Sequence, residues 1–112
     1  MLRNGRYFWL MKLENAAKQL EALGNPTRLA MYRVLIQHGT AGSPVGEIRK
    51  KLGIPASTLS HHIAKLVHAG LITQERNSRR LFCKADFANM NALMAFMAHN
   101  CCTVDSSCKD DE

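Results

Sequence analysis

Three of the four cysteines in this 112-residue chain lie close together near its end. Cys101 and Cys102 are adjacent, and residues 103–107 separate them from Cys108. The Cα atoms of adjacent residues lie about 3.8 Å apart, below the usual disulfide range of about 4.4–6.8 Å. Cys101 and Cys102 are therefore poorly placed to bond each other. Both can turn their sulfur toward one soft ion, and the intervening loop lets Cys108 fold back as a third ligand.

Three thiolates without a carboxylate or imidazole as fourth ligand favour a soft ion with three ligands. Trivalent arsenic and antimony are thiophilic and pyramidal, with a lone pair in the fourth position. We therefore expect As(III), or Sb(III), to bind these three cysteines. Two alternatives stay open. One is a redox or sulfur sensor in which Cys108 is oxidised with Cys101 or Cys102, and the other is a sensor of cadmium, lead or zinc.

The same cysteines argue against an enzyme. A thiol oxidoreductase would place a Cys-x-x-Cys at the positive N-terminal end of a helix, whereas these cysteines follow a predicted helix. The chain also has no glycine-rich loop that could cradle a phosphate. We expect no catalytic activity and no catalytic cofactor. The remaining cysteine, Cys83, is predicted to be a small filler on a sheet face.

Positive charge is concentrated in one segment, from Pro44 to Lys84. This segment holds eight basic and two acidic residues, so it accounts for the whole formal net charge of +6. A contiguous basic block in an otherwise neutral chain indicates an anionic partner, with nucleic acid the leading candidate. The basic residues are Arg49, Lys50, Lys51, Lys65, Arg76, Arg79, Arg80 and Lys84.

The elements that must position these residues follow from periodicity and from helix start and stop signals. We predict a mostly α fold with a small β-hairpin. Helices are expected at 13–23, 26–38 (after an Asn25 cap), 44–52, 55–68 and 86–99, and strands at 71–75 and 81–84. In the first helix, the apolar residues that repeat at helical spacing are Leu13, Ala16, Ala17, Leu20 and Leu23, and the apolar face of the second is Leu29, Ala30, Val34 and Leu35. In the helix at 55–68, the side chains predicted to point inward are Leu59, Ile63, Leu66 and Val67. Three methionines of the last helix, Met90, Met94 and Met97, are predicted to form a packing face.

The order of helix, tight turn, helix and basic hairpin is that of a winged helix-turn-helix, which reads DNA by placing its second helix in the major groove. The outer face of that helix presents Ala56, Ser57, Thr58, Ser60, His61 and Lys65. The hairpin tip presents Arg76, Arg79 and Arg80, which would follow phosphates or enter a minor groove.

Three motifs resemble the ArsR/SmtB family of bacterial metal-responsive repressors: the stretch from Leu23 to Leu29, the stretch from Ser57 to Leu66, and the tetrapeptide Ala69 to Ile72. The resemblance covers about residues 13–100. It implies a homodimer, built through the first and last helices, that binds an inverted-repeat operator on double-stranded DNA and leaves it when an inducer binds. It also implies that Ser57, Thr58, Ser60 and His61 face the groove, whereas His62 packs within the helix pair.

The family has several inducer sites, and the sequence departs from two of them. The Cys-x-Cys pair of many of its arsenic and cadmium sensors is absent, because residues 45–50 contain no cysteine. Of the family's zinc ligands on the last helix, Asp86 and His99 match, but Ala88 and Cys102 occupy the other two positions. The C-terminal cysteine triad remains, and it predicts an arsenic-sensor type.

We divide the chain into an N-terminal extension (1–11), a DNA-binding and dimerisation domain (12–100) and a flexible acidic tail (101–112). No apolar run approaches the roughly 18 residues that a membrane helix needs. The N-terminus also lacks the features of a secretory signal. We therefore expect a cytoplasmic protein without a membrane partner.

Overall fold

The computed structural model describes residues 2–104, with side chains from Leu13 onward. This part of the chain is mostly helical and carries a three-stranded antiparallel sheet. Its elements are α1 (Leu2–Leu23), α2 (Pro26–His38), a 3-10 turn (Gly39–Ala41), β1 (Ser43–Pro44), α3 (Val45–Leu52), α4 (Ala56–His68), β2 (Ile72–Asn77), β3 (Arg80–Ala85) and α5 (Phe87–Ala98). No helix in this part is long and apolar enough to cross a membrane.

Two helices begin where the sequence predicts, because a side chain satisfies their free backbone N–H groups. The Asn25 side-chain oxygen accepts from Thr27 N at 2.9 Å and Arg28 N at 3.1 Å, just before Pro26. Asp86 Oδ1 accepts from Asn89 N at 3.0 Å at the start of α5. The first helix differs from its prediction, since α1 begins at Leu2 rather than at residue 13.

The sheet has the order β1-β3-β2, and the predicted hairpin forms its larger part. The pairing runs from Ile72 opposite Ala85 to Asn77 opposite Arg80. The stretch predicted as a plain loop at 40–43 instead leads into β1, which pairs Ser43 with Cys83.

Glycine is required at residue 42, where the chain enters β1. Its φ is +73°, and a Cβ there would collide with the carbonyl oxygen of Cys83. The loop before α3 is thereby held directly against the middle strand of the sheet.

The core lies between α2, α3, α4 and the sheet. Its largest fully buried side chains are Met31, Leu35, Ile48, Leu59, Leu66, Leu71, Ile72 and Cys83. Cys83 fills the centre of the middle strand, as predicted. Burial raises the pKa of its thiol to about 11, so the neutral form is strongly favoured.

The predicted apolar face of α2 coincides only in part with its buried face. In α2 the buried residues are Arg28, Met31, Tyr32 and Leu35, whereas Leu29 is 44% exposed. This helix is apolar on several sides, so composition alone leaves its rotation ambiguous, and the positions i, i+3, i+4 and i+7 decide it.

In α1 the buried residues are Ala16, Gln19 and Ala22, whereas Leu13 and Leu20 are exposed. Val67 in α4 is also exposed, because the inner face of that helix ends at Leu66.

Candidate nucleic-acid interface and thiol site

Helices α3 and α4 form the predicted helix-turn-helix. Gly53 ends α3 in the left-handed conformation, with φ of 64°, and its N–H donates to Arg49 O at 2.8 Å. This conformation suits glycine and reverses the chain within a few residues. Helix α4 then buries Leu59, Ile63 and Leu66.

The opposite face of α4 carries the residues predicted to enter the groove. The short side chains there leave room for the helix to approach base edges closely. All five of the following are exposed: Ala56, Ser57, Thr58, Ser60 and His61. Their contact with DNA stays a prediction.

Lys65, the sixth predicted contact on α4, points toward α1. Its Nζ lies 3.9 Å from Glu21 Oε2, and both side chains are substantially exposed. Such surface pairs contribute about 0–1 kcal/mol, so the lysine remains available to a phosphate at little cost.

His62 joins α4 to α2 through a buried arginine. Arg28 donates from Nε to the carbonyl oxygen of Ala22 at 2.6 Å, and its Nη1 lies 3.2 Å from Nδ1 of His62. Burial, then the positive charge of Arg28, and then His61 lower the pKa of His62. A neutral ring with its proton on Nε2 can accept from the guanidinium at Nδ1. His62 is therefore part of the helix packing, as the sequence predicts.

The hairpin tip brings Arg79 and Arg80 close to α3. A groove of about 470 Å³ between the two is lined by Arg49, Lys50, Arg79 and Arg80, among others. Arg80 Nη2 lies 3.7 Å from Glu47 Oε2, and its guanidinium carbon lies 5.7 Å from the centre of the Phe82 ring. The sequence placed Arg49 and Lys50 in the basic block but did not single them out as contacts. The sequence pattern did not indicate which face of α3 turns toward the hairpin.

The thiol site lies on an exposed turn that directly follows α5. The Sγ atoms of Cys101 and Cys102 are 3.4 Å apart. Cys101 N donates to Ala98 O at 3.1 Å, and Asn100 and Cys102 on either side adopt left-handed φ values of 63° and 62°. This conformation costs a non-glycine residue roughly 1–2 kcal/mol.

The redox states of the two cysteines differ. Cys101 is a free thiol, whereas Cys102 is disulfide-bonded. Cys108, the third predicted ligand, lies outside the described residues.

The half-matched zinc set does not form a site within the described part of one chain. Both oxygens of Asp86 are engaged with Asn89, one with its backbone N–H at 3.0 Å and one with its side-chain amide at 3.3 Å. His99 follows thirteen residues later along the same helix, about 20 Å away at 1.5 Å per residue. Among the described residues, no group of three or more His, Cys, Asp or Glu could hold a metal ion.

Residues 23–75 match a family model described as a helix-turn-helix domain. The chain is 32% identical over 89 residues to the HTH-type transcriptional regulator YgaV of Escherichia coli K12, which covers 80% of this chain and 88% of YgaV.

Two solved structures share the fold. An ArsR-like transcriptional regulator from Rhodococcus sp. RHA1 aligns with a TM-score of 0.72 at 19% identity, over 85% of this chain and 87% of that one. The homodimeric winged helix-turn-helix domain of Mb0332 from Mycobacterium bovis aligns with a TM-score of 0.62 at 26% identity, over 79% of this chain and 82% of that one. With its helix-turn-helix, its basic hairpin and these relatives, the chain belongs to the HTH-type transcriptional regulators, and it has the winged helix-turn-helix fold of ArsR-like regulators.

Proposed function

We propose that the protein is a homodimeric repressor that releases an inverted-repeat operator when As(III), or Sb(III), binds Cys101, Cys102 and Cys108. The observation that carries this proposal is the pair of neighbouring sulfur atoms on the exposed turn after α5. Two sulfurs that each lie about 2.3 Å from a shared ion are about 3.3–3.8 Å apart for bond angles between about 90° and 110°. The separation of 3.4 Å, in this structure with Cys102 disulfide-bonded, falls within this range.

The dimer is supported by apolar side chains that a single chain leaves uncovered. Large hydrophobic residues are exposed on α1 (Leu13, Leu20) and on α5, where Met94 is 63% and Met97 is 61% exposed. Methionines at such spacing form an adaptable packing face. Pairing of these helices with those of a second copy would place two α4 helices on one face, as binding to successive major grooves about 34 Å apart requires.

Helix α5 would then carry both the inducer site and part of the dimer interface. Closure of the three thiolates around one ion reorganises the turn after α5 and shifts one subunit against the other, so that the α4 helices no longer match the groove spacing. A ligand shifts such an equilibrium only by its differential affinity for the two arrangements. A coupling free energy of about 1–3 kcal/mol would change operator affinity by about 5–150-fold.

The test is fluorescence anisotropy with DNA from upstream of the protein's own coding region. The protein is kept under strong reductant, because Cys102 binds an ion only as a thiolate. We expect arsenite to release the DNA and zinc to leave it bound. Cys102→Ser should bind DNA as the wild type does but resist arsenite, whereas the buried-site control Cys83→Ala should respond normally. A Cys102→Ser protein that still releases DNA would exclude the triad as the sensor.

Repression itself is tested by transcription in vitro from the same DNA. We expect the reduced protein to lower transcript yield and arsenite to restore it. A protein that raises transcript yield when bound would contradict the assignment as a repressor.

The disulfide at Cys102 favours a second candidate, a repressor of the same fold that responds to oxidation or polysulfide. Formation of the bond removes two electrons and two protons from a pair of thiols and passes them to the oxidant. In the same assay this candidate predicts release on addition of diamide or polysulfide, and no release by arsenite under full reduction.

A further inference from the structure

The C-terminal end of α4 is held by side chains from two other helices. Gln19 of α1 donates from Nε2 to the carbonyl oxygen of Ala69 at 3.2 Å. Asn89 of α5 donates from Nδ2 to the carbonyl oxygen of Gly70 at 2.7 Å. Carbonyls at the end of a helix lack partners within the helix, so these amides satisfy groups that would otherwise need water.

A third bond completes a row of three carbonyls. The backbone N–H of Asp86 donates to Leu71 O at 2.8 Å. The same aspartate accepts from the Asn89 amide at 3.3 Å, which fixes the direction in which that amide points. Ala69, Gly70 and Leu71 are thus each bonded to α1 or to the start of α5.

The two amides are closely packed on the side that faces Gly70 and border a cavity on the other side. A Cβ at Gly70 would lie 3.3 Å from Asn89 Nδ2 and 3.8 Å from Gln19 Nε2. On the far side, a cavity of about 130 Å³ between α1 and α5 is lined by both amides and by Phe96. A displacement of α5 therefore moves the Asn89 amide with it, and the cavity leaves room for that movement.

We propose that Gln19 and Asn89 are positioning residues that set the orientation of α4 relative to α1 and α5, and that they thereby set the selectivity of the protein for its operator. This inference rests on the proposed DNA-binding function, since neither amide is assigned a DNA contact. Asn89 lies in the first turn of α5, and the thiol pair follows the last turn, which ends about 14 Å further along the helix. Helix α5 thus links the proposed inducer site to the end of α4 through the Asn89 side chain and the backbone N–H of Asp86.

The experiment first lets the full-length wild-type protein, under reductant, select its operator from a pool of random duplex DNA. Affinity is then measured for the selected duplex and for a scrambled one. Asn89→Ala and Gln19→Ala each remove one amide. Asn91→Ala is the matched control, because Asn91 is an exposed asparagine on the same helix.

We expect Asn89→Ala and Gln19→Ala each to weaken binding to the selected duplex by about fivefold or more, the lower end of typical couplings between sites, because α4 loses one of its two positioning amides. Binding to the scrambled duplex should be unchanged, because non-specific affinity depends on charge rather than on helix orientation. A residue that only stabilised the fold would lower both affinities together, along with the melting temperature. Asn91→Ala should behave as the wild type.

The failures of the two proposals are distinguishable. A wild-type protein that enriches no sequence overturns the proposed DNA-binding function. A wild-type protein that enriches an operator, while Asn89→Ala and Gln19→Ala both keep its selectivity, overturns the positioning role alone.

Discussion

Arg79 at the hairpin tip provides a quantitative test of the proposed DNA interface. It is exposed and lines the groove beside α3. Among the described residues, ion pairs engage Lys65, Arg80 and Lys84 of the basic block but not Arg79. A phosphate could therefore use the charge of Arg79 without first breaking an ion pair among the described residues, whereas Arg80 would first have to leave Glu47.

The expected magnitude follows from counterion release. Each phosphate contact contributes about −0.9 to the slope of log affinity against log salt concentration. The proposed homodimer would place two Arg79 side chains on the operator, so Arg79→Ala should reduce the steepness of the slope by about 1.8. Between 50 and 200 mM salt, the ratio of wild-type to variant affinity should then fall about 12-fold.

The assay is fluorescence anisotropy with the selected operator at four salt concentrations. Lys18→Ala is the control, because it removes an exposed positive charge from α1, outside the basic block. We expect Lys18→Ala to keep the wild-type slope. An Arg79→Ala slope equal to that of the wild type would refute the phosphate contact. Equal changes in the two variants would show that only overall charge matters.

Three further outcomes are expected. Gly42→Ala should lower the free energy of unfolding by about 2–4 kcal/mol, measured by urea denaturation, because strain at positive φ adds to a collision with the Cys83 carbonyl. Gly39, with φ of 63° and ψ of −151°, also has a conformation open almost only to glycine, but a Cβ there meets no atom within 4 Å. Gly39→Ala should therefore cost only the backbone strain, about 1–3 kcal/mol, and a loss equal to that of Gly42→Ala would contradict the collision. In native protein under mild reductant, a maleimide should label Cys101 well before Cys83, because Cys83 is buried and the pKa of its thiol is about 11. Mass spectrometry of samples taken at successive times measures the order of labelling. Burial holds the pKa of His62 below 6.5, so the unfolded chain takes up the proton before the folded one as pH falls. The free energy of unfolding should therefore decrease as the pH is lowered through about 6.5, and the His62→Gln variant should lack the part of this decrease that is due to His62.

The order of the elements was predictable because residues that start or stop helices mark most of their boundaries. Asn25 with Pro26, Gly53 and Asp86 act through local geometry that does not depend on the rest of the fold. The strand at Ser43 was not predictable, because a two-residue strand exists only through its pairing with Cys83, forty residues away.

Side-chain orientation was predictable only where a helix has a single apolar face. Helix α4 has such a face, and Leu59, Ile63 and Leu66 were identified correctly. In α2 the burial of Arg28 depends on the Ala22 carbonyl and on His62, two partners that sequence spacing does not indicate. The roles of Gln19 and Asn89 were missed for the same reason, since each amide bonds a backbone carbonyl in a distant element.

The short pairing of β1 with β3 has a consequence for the thermodynamics of binding. It ties the segment that leads into α3 to the middle strand of the hairpin, through Ser43 opposite Cys83 and Pro44 opposite Phe82. The helix-turn-helix and the hairpin are thus a pre-organised unit, and DNA need not restrict the motion of one relative to the other at a cost in conformational entropy. Insertions in the hairpin turn, between Asn77 and Arg80, should therefore be tolerated. Insertions between Gly39 and Pro44 would shift the register of β1 and change the distance between the two DNA-facing elements.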